Sequence, residues 1–501
     1  MIGFEKFVSF DFILFMVACV LYKKGNDMDR ILKLAVLVLI PIIMWFTTPP
    51  EGLSVEAWRL LGFYLAAIVG LVLKPWPAPV ILLVSIAASS IFLDNAKNVL
   101  TGYASTTLWL VFAAFSLSVA FVKTGLGRRI AFHMISAFGS TVLRLGYVTA
   151  LLDFVISPVT PSNTARSGGI VFPIMNAVAK ALGSEPGETA RKAGSYLMVN
   201  TYMVTKVTSL MFATAMAPNL LAADFMHKIL GVDLNWGFWA MAMIVPGLVM
   251  LAVIPAVIYA VERPTLTTLD NKKIAREGLE ELGPMKNSEK TLVGIFFLAL
   301  LGWAMPSLLE QGFGIELDIS TTGVALVAMG LSLICGVITW DDMLQTKGAW
   351  NTYIWFGGII GLSSALSKVK FFDWLSGFMQ ANINFGDNAL MALIIIGILS
   401  IAVRYLFASG SAYVVAMLPV FLTVGYAAGA NPVALALMLA ATNSYGGSLT
   451  HYGGAAAPII FGAGYNEVNR WWIVGAIVAI VCFIITMTIG YAWWDLLGIL
   501  G

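Results

Sequence analysis

Cysteine, histidine and charge are all scarce in this chain. Three cysteines (Cys19, Cys335, Cys482) and three histidines (His133, His227, His451) are scattered through 501 residues, so neither a disulfide framework nor a metal-ligand spacing can be drawn. That argues against metal enzymes and redox proteins, and no cofactor is expected. Charged side chains make up 11% of the sequence, against roughly a quarter in an ordinary soluble domain. The formal net charge of +2 includes no basic block suited to nucleic acid. What is abundant is apolar surface: 59% of residues are hydrophobic, among them 30 Phe and 15 Trp. No water-soluble interior could hide that much, so lipid is the solvent for much of the chain. The sequence reads as an all-α polytopic membrane protein, because in lipid only a helix satisfies its own backbone here.

Apolar runs long enough to cross the hydrocarbon fall near 31–49, 57–73, 77–93, 105–122, 196–225, 237–261, 291–309, 320–338, 349–366, 433–464 and 472–497. Two further stretches, 142–182 and 388–428, are too long for one helix and are interrupted by Ser, Gly, Pro and Thr. They read as re-entrant helical hairpins. With each hairpin counted as no crossing, Lys23, Lys24, Arg30, Lys33, Lys74, Lys123, Arg128, Arg129, Arg191 and Lys192 collect on one side. The polar segment 262–290, with Arg263, Lys272, Lys273, Arg276, Lys286 and Lys290, joins them inside, whereas the cation-free loop Glu310 to Asp318 falls outside. Residues 8–22 read as an outside-in first helix or an interfacial segment rather than a cleaved signal peptide.

The polar segment divides the chain into similar halves. Thr107, Leu117, Ser118, Ala120 and Lys123 recur as Thr352, Leu362, Ser363, Ala365 and Lys368. Ser162-Asn163-Thr164-Ala165 then matches Ser409-Gly410-Ser411-Ala412, and the Ala-Pro at Pro218 matches that at Pro458. An odd number of crossings per half makes the repeats inverted, the pattern of secondary transporters whose substrate site lies where interrupted helices meet. The expected organisation is scaffold helices over 1–130, a first transport half over 131–261, a cytoplasmic linker over 262–290, a second scaffold half over 291–380 and a second transport half over 381–501.

The hairpin tips carry the chemistry. In Ser157-Pro-Val-Thr-Pro-Ser-Asn-Thr-Ala-Arg166 two prolines end one helix, and Ser162, Asn163 or Thr164 can cap the next. Such a tip is rich in donors and suits a carboxylate. Ser409, Gly410 and Ser411 form the second tip, so the pair could hold the two ends of a small dicarboxylate, unless the hydroxyls merely satisfy carbonyls freed at kinks.

On Pro-Ser-Asn-Thr-Ala-Arg166, Ala-Pro-Asn219, Leu406-Phe-Ala-Ser-Gly-Ser-Ala412 and Ile460-Phe-Gly-Ala-Gly-Tyr465, nearly the whole chain resembles the divalent anion/sodium symporter family. That family includes sodium-coupled dicarboxylate carriers, citrate/succinate exchangers and plastid 2-oxoglutarate/malate translocators. The resemblance implies that Ser162, Asn163 and Thr164 bind one carboxylate and Ser409 and Ser411 the other. Unwound segments near Pro218 and near Gly453 and Gly454 would complete the site. It also implies a homodimer working by an elevator mechanism in a cell inner or plasma membrane.

The sequence departs from the sodium-coupled pattern where Gly410 replaces a second Asn and Gly454-Ala455 replaces a Thr-Pro pair. Four basic residues instead lie in apolar segments: Arg166, Lys206, Arg404 and His451. Buried ionisable groups of this kind mark functional sites in membranes. Arg166 has a competing role as partner of Asp153 or of helix carbonyls, and Arg404 could reach an interface by snorkelling. Fixed cations could offset a dianion's charge without sodium, which points to sodium-independent exchange of dicarboxylates, with a sodium-coupled di- or tricarboxylate symporter as the alternative. An intramembrane hydrolase would need a nucleophile and base, and none is recognisable in the sequence. A channel would not need two closed tips.

Overall fold

In the computed structural model, residues 28–500 apart from 316, 318 and 383–388 are described. The segment 8–22, Cys19, Lys23 and Lys24 lie outside them, as do Glu316 and Asp318 of the cation-free loop. Among the described residues the chain is helical throughout, without strands; a single bridge pairs Thr141 with Thr268. Among the described residues, seven helices are long and apolar enough to cross a membrane by length and composition.

The chain forms two compact units. Among the described residues, the smaller holds 28–108 together with Asn351–Leu375. Its helices Met28–Phe46, Val55–Leu73 and Ala78–Leu93 follow the expected apolar runs. Its tightest packing is at Gly102 and Gly361, where any side chain would run into backbone of the facing segment.

The larger unit comprises Trp109–Trp350 and Ser376–Gly501 and includes both hairpins. The polar segment packs against its neighbours. Its helix Asn271–Leu282 lies on the amphipathic helix Leu126–Phe138, with Gly278 beneath the Phe132 ring. The Asn271 amide caps that helix by donating to the carbonyls of Ile135 and Ser136 at 2.9 and 2.8 Å. Arg129 and Glu289 form a buried ion pair beside it. Further along, Lys123 and the Thr339 N–H hold the Asp342 carboxyl low, at about 2.

Both long interrupted stretches are helical pairs. The first runs Val142–Ile156, a 3-10 turn Ser157–Val159, a tip, and then a π-helical segment Thr164–Val171 continuing into Phe172–Ala181. The second runs Ala389–Arg404, a tip, and Gly410–Ala427. Each is followed by a helix that breaks. Gly194–Met211 gives way to the 3-10 turn Ala213–Ala215 and to Ala217–Leu230, and Pro432–Tyr445 gives way to Gly446–Ser448 and to Ala457–Phe461. The order of elements in the two halves therefore matches, and the apolar runs 196–225 and 433–464 are each two helices rather than one.

Prolines set many of these ends, and side chains repay the freed carbonyls. Pro218 opens the helix Ala217–Leu230, where its missing N–H costs nothing. Pro246 lies inside Trp236–Glu262 and leaves the Ala242 carbonyl without its helical donor, which the Trp494 indole replaces at 2.9 Å.

Candidate functional site

The first tip is organised around Arg166, which is fully buried. Its Nε donates to Asp153 at 3.1 Å. Nη1 donates to the carbonyls of Thr160 on the tip and Ala215 in the helix break, at 2.8 and 2.7 Å. Nη2 donates to Ser209 at 2.8 Å and to the Asn163 side-chain oxygen at 3.1 Å. Asp153 in turn accepts from Thr205 and Thr208. Arg166 thus does both things the sequence allowed, neutralising Asp153 and holding backbone carbonyls, and its charge is matched inside the protein.

This network orients Asn163. The carboxamide oxygen accepts from Arg166 and also from Ser209 at 2.9 Å, which leaves the NH2 end facing the Met216 thioether at 4.0 Å. A thioether is a weak acceptor, so two amide protons remain for a stronger one. Ser162 caps the segment by accepting from the Ala165 N–H at 3.3 Å, and Ser162, Asn163 and Thr164 are all partly accessible. The break lies against the tip: the Ala217 N–H donates to the Pro161 carbonyl at 2.9 Å. Asn219 closes the end of Gly194–Met211 by donating to the carbonyls of Ser209 and Phe212 at 2.7 and 3.1 Å.

At the second tip Ser409, in extended backbone, caps Gly410–Ala427 by accepting from Ala412 at 3.3 Å. Ser409, Gly410 and Ser411 are partly accessible as well. Arg404, buried, donates through Nη1 to the Phe407 carbonyl at 2.9 Å and through Nη2 to the Gly453 carbonyl in the second break at 3.0 Å. Its guanidinium lies 5.2 Å from the centre of the Tyr413 ring. It does not snorkel, and no carboxylate pairs with it among the described residues.

The two tips flank a single short stretch of chain, because Met216 and Ala217 touch the first and Pro218 the second. A side chain begun at Gly410 would meet the Pro218 ring at 3.6 Å and Arg404 Nη2 at 3.3 Å. Lys206 reaches the same region from the first broken helix. Its Nζ lies 4.8 Å from the Tyr202 ring centre. It also lies 2.9 Å from where a side chain on Gly454 would begin and 3.1 Å from the equivalent point on Gly447. Arg404 Nη2 is 3.3 Å from that Gly447 point, so glycine at 447 and 454 is what lets the second break close over two cations. Lys206, like Arg404, has no carboxylate partner among the described residues.

His451 differs from the other three basic residues. It packs among Tyr452, Phe461 and Trp472, and its Nδ1 accepts from the Trp472 indole at 3.0 Å. An indole N–H can only donate, so Nδ1 is the acceptor of this bond. The basic residue that stands with Lys206 at the second break is Arg404. Asp153 and His451 have separate partners and form no catalytic pair.

Sequence reasoning did not single out Tyr202, Ser209, Tyr413 or Asn443. Tyr202 donates to the Gly447 carbonyl at 2.8 Å and so ties the two broken helices together, as does Ser444, which donates to the Lys206 carbonyl. Asn443, buried near the end of Pro432–Tyr445, has neither amide atom hydrogen-bonded. Polar residues on an otherwise apolar helix were the available signal, but many such residues only bond their own preceding turn.

The family model for the sodium:sulfate symporter transmembrane region matches residues 28–500. The putative malate transporter YflS of Bacillus subtilis is 40% identical over 473 residues, which span 94% of this chain and 97% of that protein. The citrate/succinate antiporter of Escherichia coli K12 is 32% identical over 493 residues, 93% of this chain and 99% of its own length. Among solved structures, MtrF of Neisseria gonorrhoeae, an antimetabolite efflux pump, superposes with a TM-score of 0.57 at 13% identity, covering 94% of this chain and 96% of that one. At that identity the likeness is one of fold.

Proposed function

Because the chain belongs to the divalent anion/sodium symporter family of membrane transporters, we propose that it exchanges C4 to C5 dicarboxylates without sodium. The observation that supports this reading is a pair of buried cations, Lys206 and Arg404, which have no carboxylate partner among the described residues and lie by two donor-rich tips. Unpaired charges in a dry interior cost several kcal/mol each, and a dianion offsets both. One carboxylate accepts from the Asn163 amide and the hydroxyls of Ser162 and Thr164, and the other from Ser409 and Ser411. The names of relatives that carry malate, citrate and succinate agree with this chemistry.

Fixed cations also dictate the coupling. The loaded site is close to neutral and can cross, whereas the empty site would carry two uncompensated charges through a low-dielectric region. The empty return is then slow, and each substrate leaves only as another replaces it. The hairpins and broken helices move together in an elevator step within a homodimer. Vesicles preloaded with unlabelled succinate are expected to take up labelled succinate, and empty vesicles are not. Equal uptake by both under a sodium gradient would return the sodium-coupled symporter to first place.

Truncating the tips tests the ligand assignment. Asn163→Ala and Ser411→Ala are each expected to weaken succinate binding roughly ten- to hundredfold, the worth of one hydrogen bond to a charged group, with the protein still monodisperse. Parental affinity in both variants would show that the tips do not hold the carboxylates.

A further inference from the structure

The register that aligns Ser162 with Ser409 also aligns the electrostatics of the two hairpins, residue by residue. Thr160 falls on Phe407, and each of these carbonyls accepts from an arginine that also donates to a carbonyl in the neighbouring break, Arg166 to Ala215 and Arg404 to Gly453. The arginines come from opposite arms. Arg166 lies after its tip, where the second hairpin has Tyr413, and Arg404 lies before its tip, where the first hairpin has Ser157. Asp153 falls on Ser400. The ion pair of Arg166 with Asp153 therefore has a neutral counterpart, in which the Tyr413 hydroxyl donates to the Ser400 carbonyl at 3.0 Å.

Ser400 is buried, and its own hydroxyl donates to the Gly397 carbonyl at 2.9 Å. It stands one helical turn before Arg404 on the helix Ala389–Arg404, the spacing at which an acid pairs with a following base. Resting on the exchange reading above, we propose that Ser400 sets the charge preference of the site. By placing a neutral side chain where the first hairpin has Asp153, it leaves Arg404 unpaired. Arg404 and Lys206 then present two positive charges to the substrate and select a dianion over a monoanion. A carboxylate at this position would cancel one of the two, turning the second arginine into a structural clamp like the first.

The test is counterflow of succinate against its monoamide, succinamate, in proteoliposomes. The unmodified protein is expected to favour succinate strongly. Ser400→Asp is expected to lower the succinate to succinamate rate ratio about ten- to hundredfold, the factor carried by one charge-assisted hydrogen bond. Ser400→Asn, of the same size and uncharged, is expected to keep the ratio. An unchanged ratio in folded Ser400→Asp, or an equal fall in Asn and Asp variants, overturns the inference. If Ser400→Asp is not recovered as folded protein, Arg404→Gln decides. A fallen ratio there supports the role of the unpaired charge, and an unchanged one overturns it. An unmodified protein that moves no succinate at all overturns the exchange reading itself and this inference with it, whereas normal succinate exchange with an unaltered ratio overturns the inference alone.

Discussion

Lys206→Ser is expected to slow succinate exchange by roughly two to three orders of magnitude, the largest loss of transport of any single substitution in the site. Removing one member of a desolvated charge pair costs about 2 to 5 kcal/mol, and each 1.4 kcal/mol is about tenfold. Arg404 already supplies the other positive charge of the site and is fixed in place by the Phe407 and Gly453 carbonyls, so it does not replace this one, and the His451 Nδ1 is engaged by the Trp472 indole. Lys206→Arg retains the charge and is expected to lose much less. Some loss remains, because the ammonium lies 2.9 Å from the Gly454 side-chain position and a planar guanidinium is larger and contacts differently. Counterflow rates of the two variants at saturating and at low succinate, compared with the unmodified protein, measure the effect. Full exchange by Lys206→Ser would show that the ammonium is only a packing group and would remove the physical basis for sodium-independent exchange.

Arg166→Met has the largest expected effect on stability. It strands Asp153 as a buried charge and frees the carbonyls of Thr160 and Ala215 together. Breaking a buried pair from one side costs about 3 to 5 kcal/mol, so the melting temperature in detergent is expected to fall clearly. The double variant Asp153→Asn with Arg166→Gln removes both charges and is expected to regain part of that loss. It is not expected to regain affinity, because the Asn163 oxygen loses its charged donor and the amide is no longer held with its NH2 end outward. Recovery of affinity along with stability would show that Arg166 contributes to packing alone and has no part in orienting Asn163.

These two expectations rest on different kinds of legibility. The positions of the helices were readable because lipid imposes a local demand: a crossing segment must be apolar along its whole length. The two hairpins and their tips were readable because Pro158, Pro161 and the Ser-rich turns act on their own neighbours in the chain. Where two short helices replaced one long run, at Phe212 to Met216 and after Tyr445, the break itself is apolar or glycine-rich and resembles its surroundings in composition, so only its Ala-Pro end gave it away.

The sequence by itself determined that this chain is a helical membrane protein with matched polar tips and four basic residues in apolar surroundings. In sequence Arg166 and Arg404 carried competing structural roles, whereas Lys206 and His451 stood out as the two cations without one. Tertiary structure redrew the grouping: Arg166 meets Asp153, His451 accepts from Trp472, and Lys206 and Arg404 meet aromatic rings and backbone, with no carboxylate beside either among the described residues. The reason is physical. The effect of a buried charge depends on its nearest opposite charge, and here the groups that decide it, Gly447, Gly453 and Gly454 for Lys206 and Arg404, come from parts of the chain that only folding brings together.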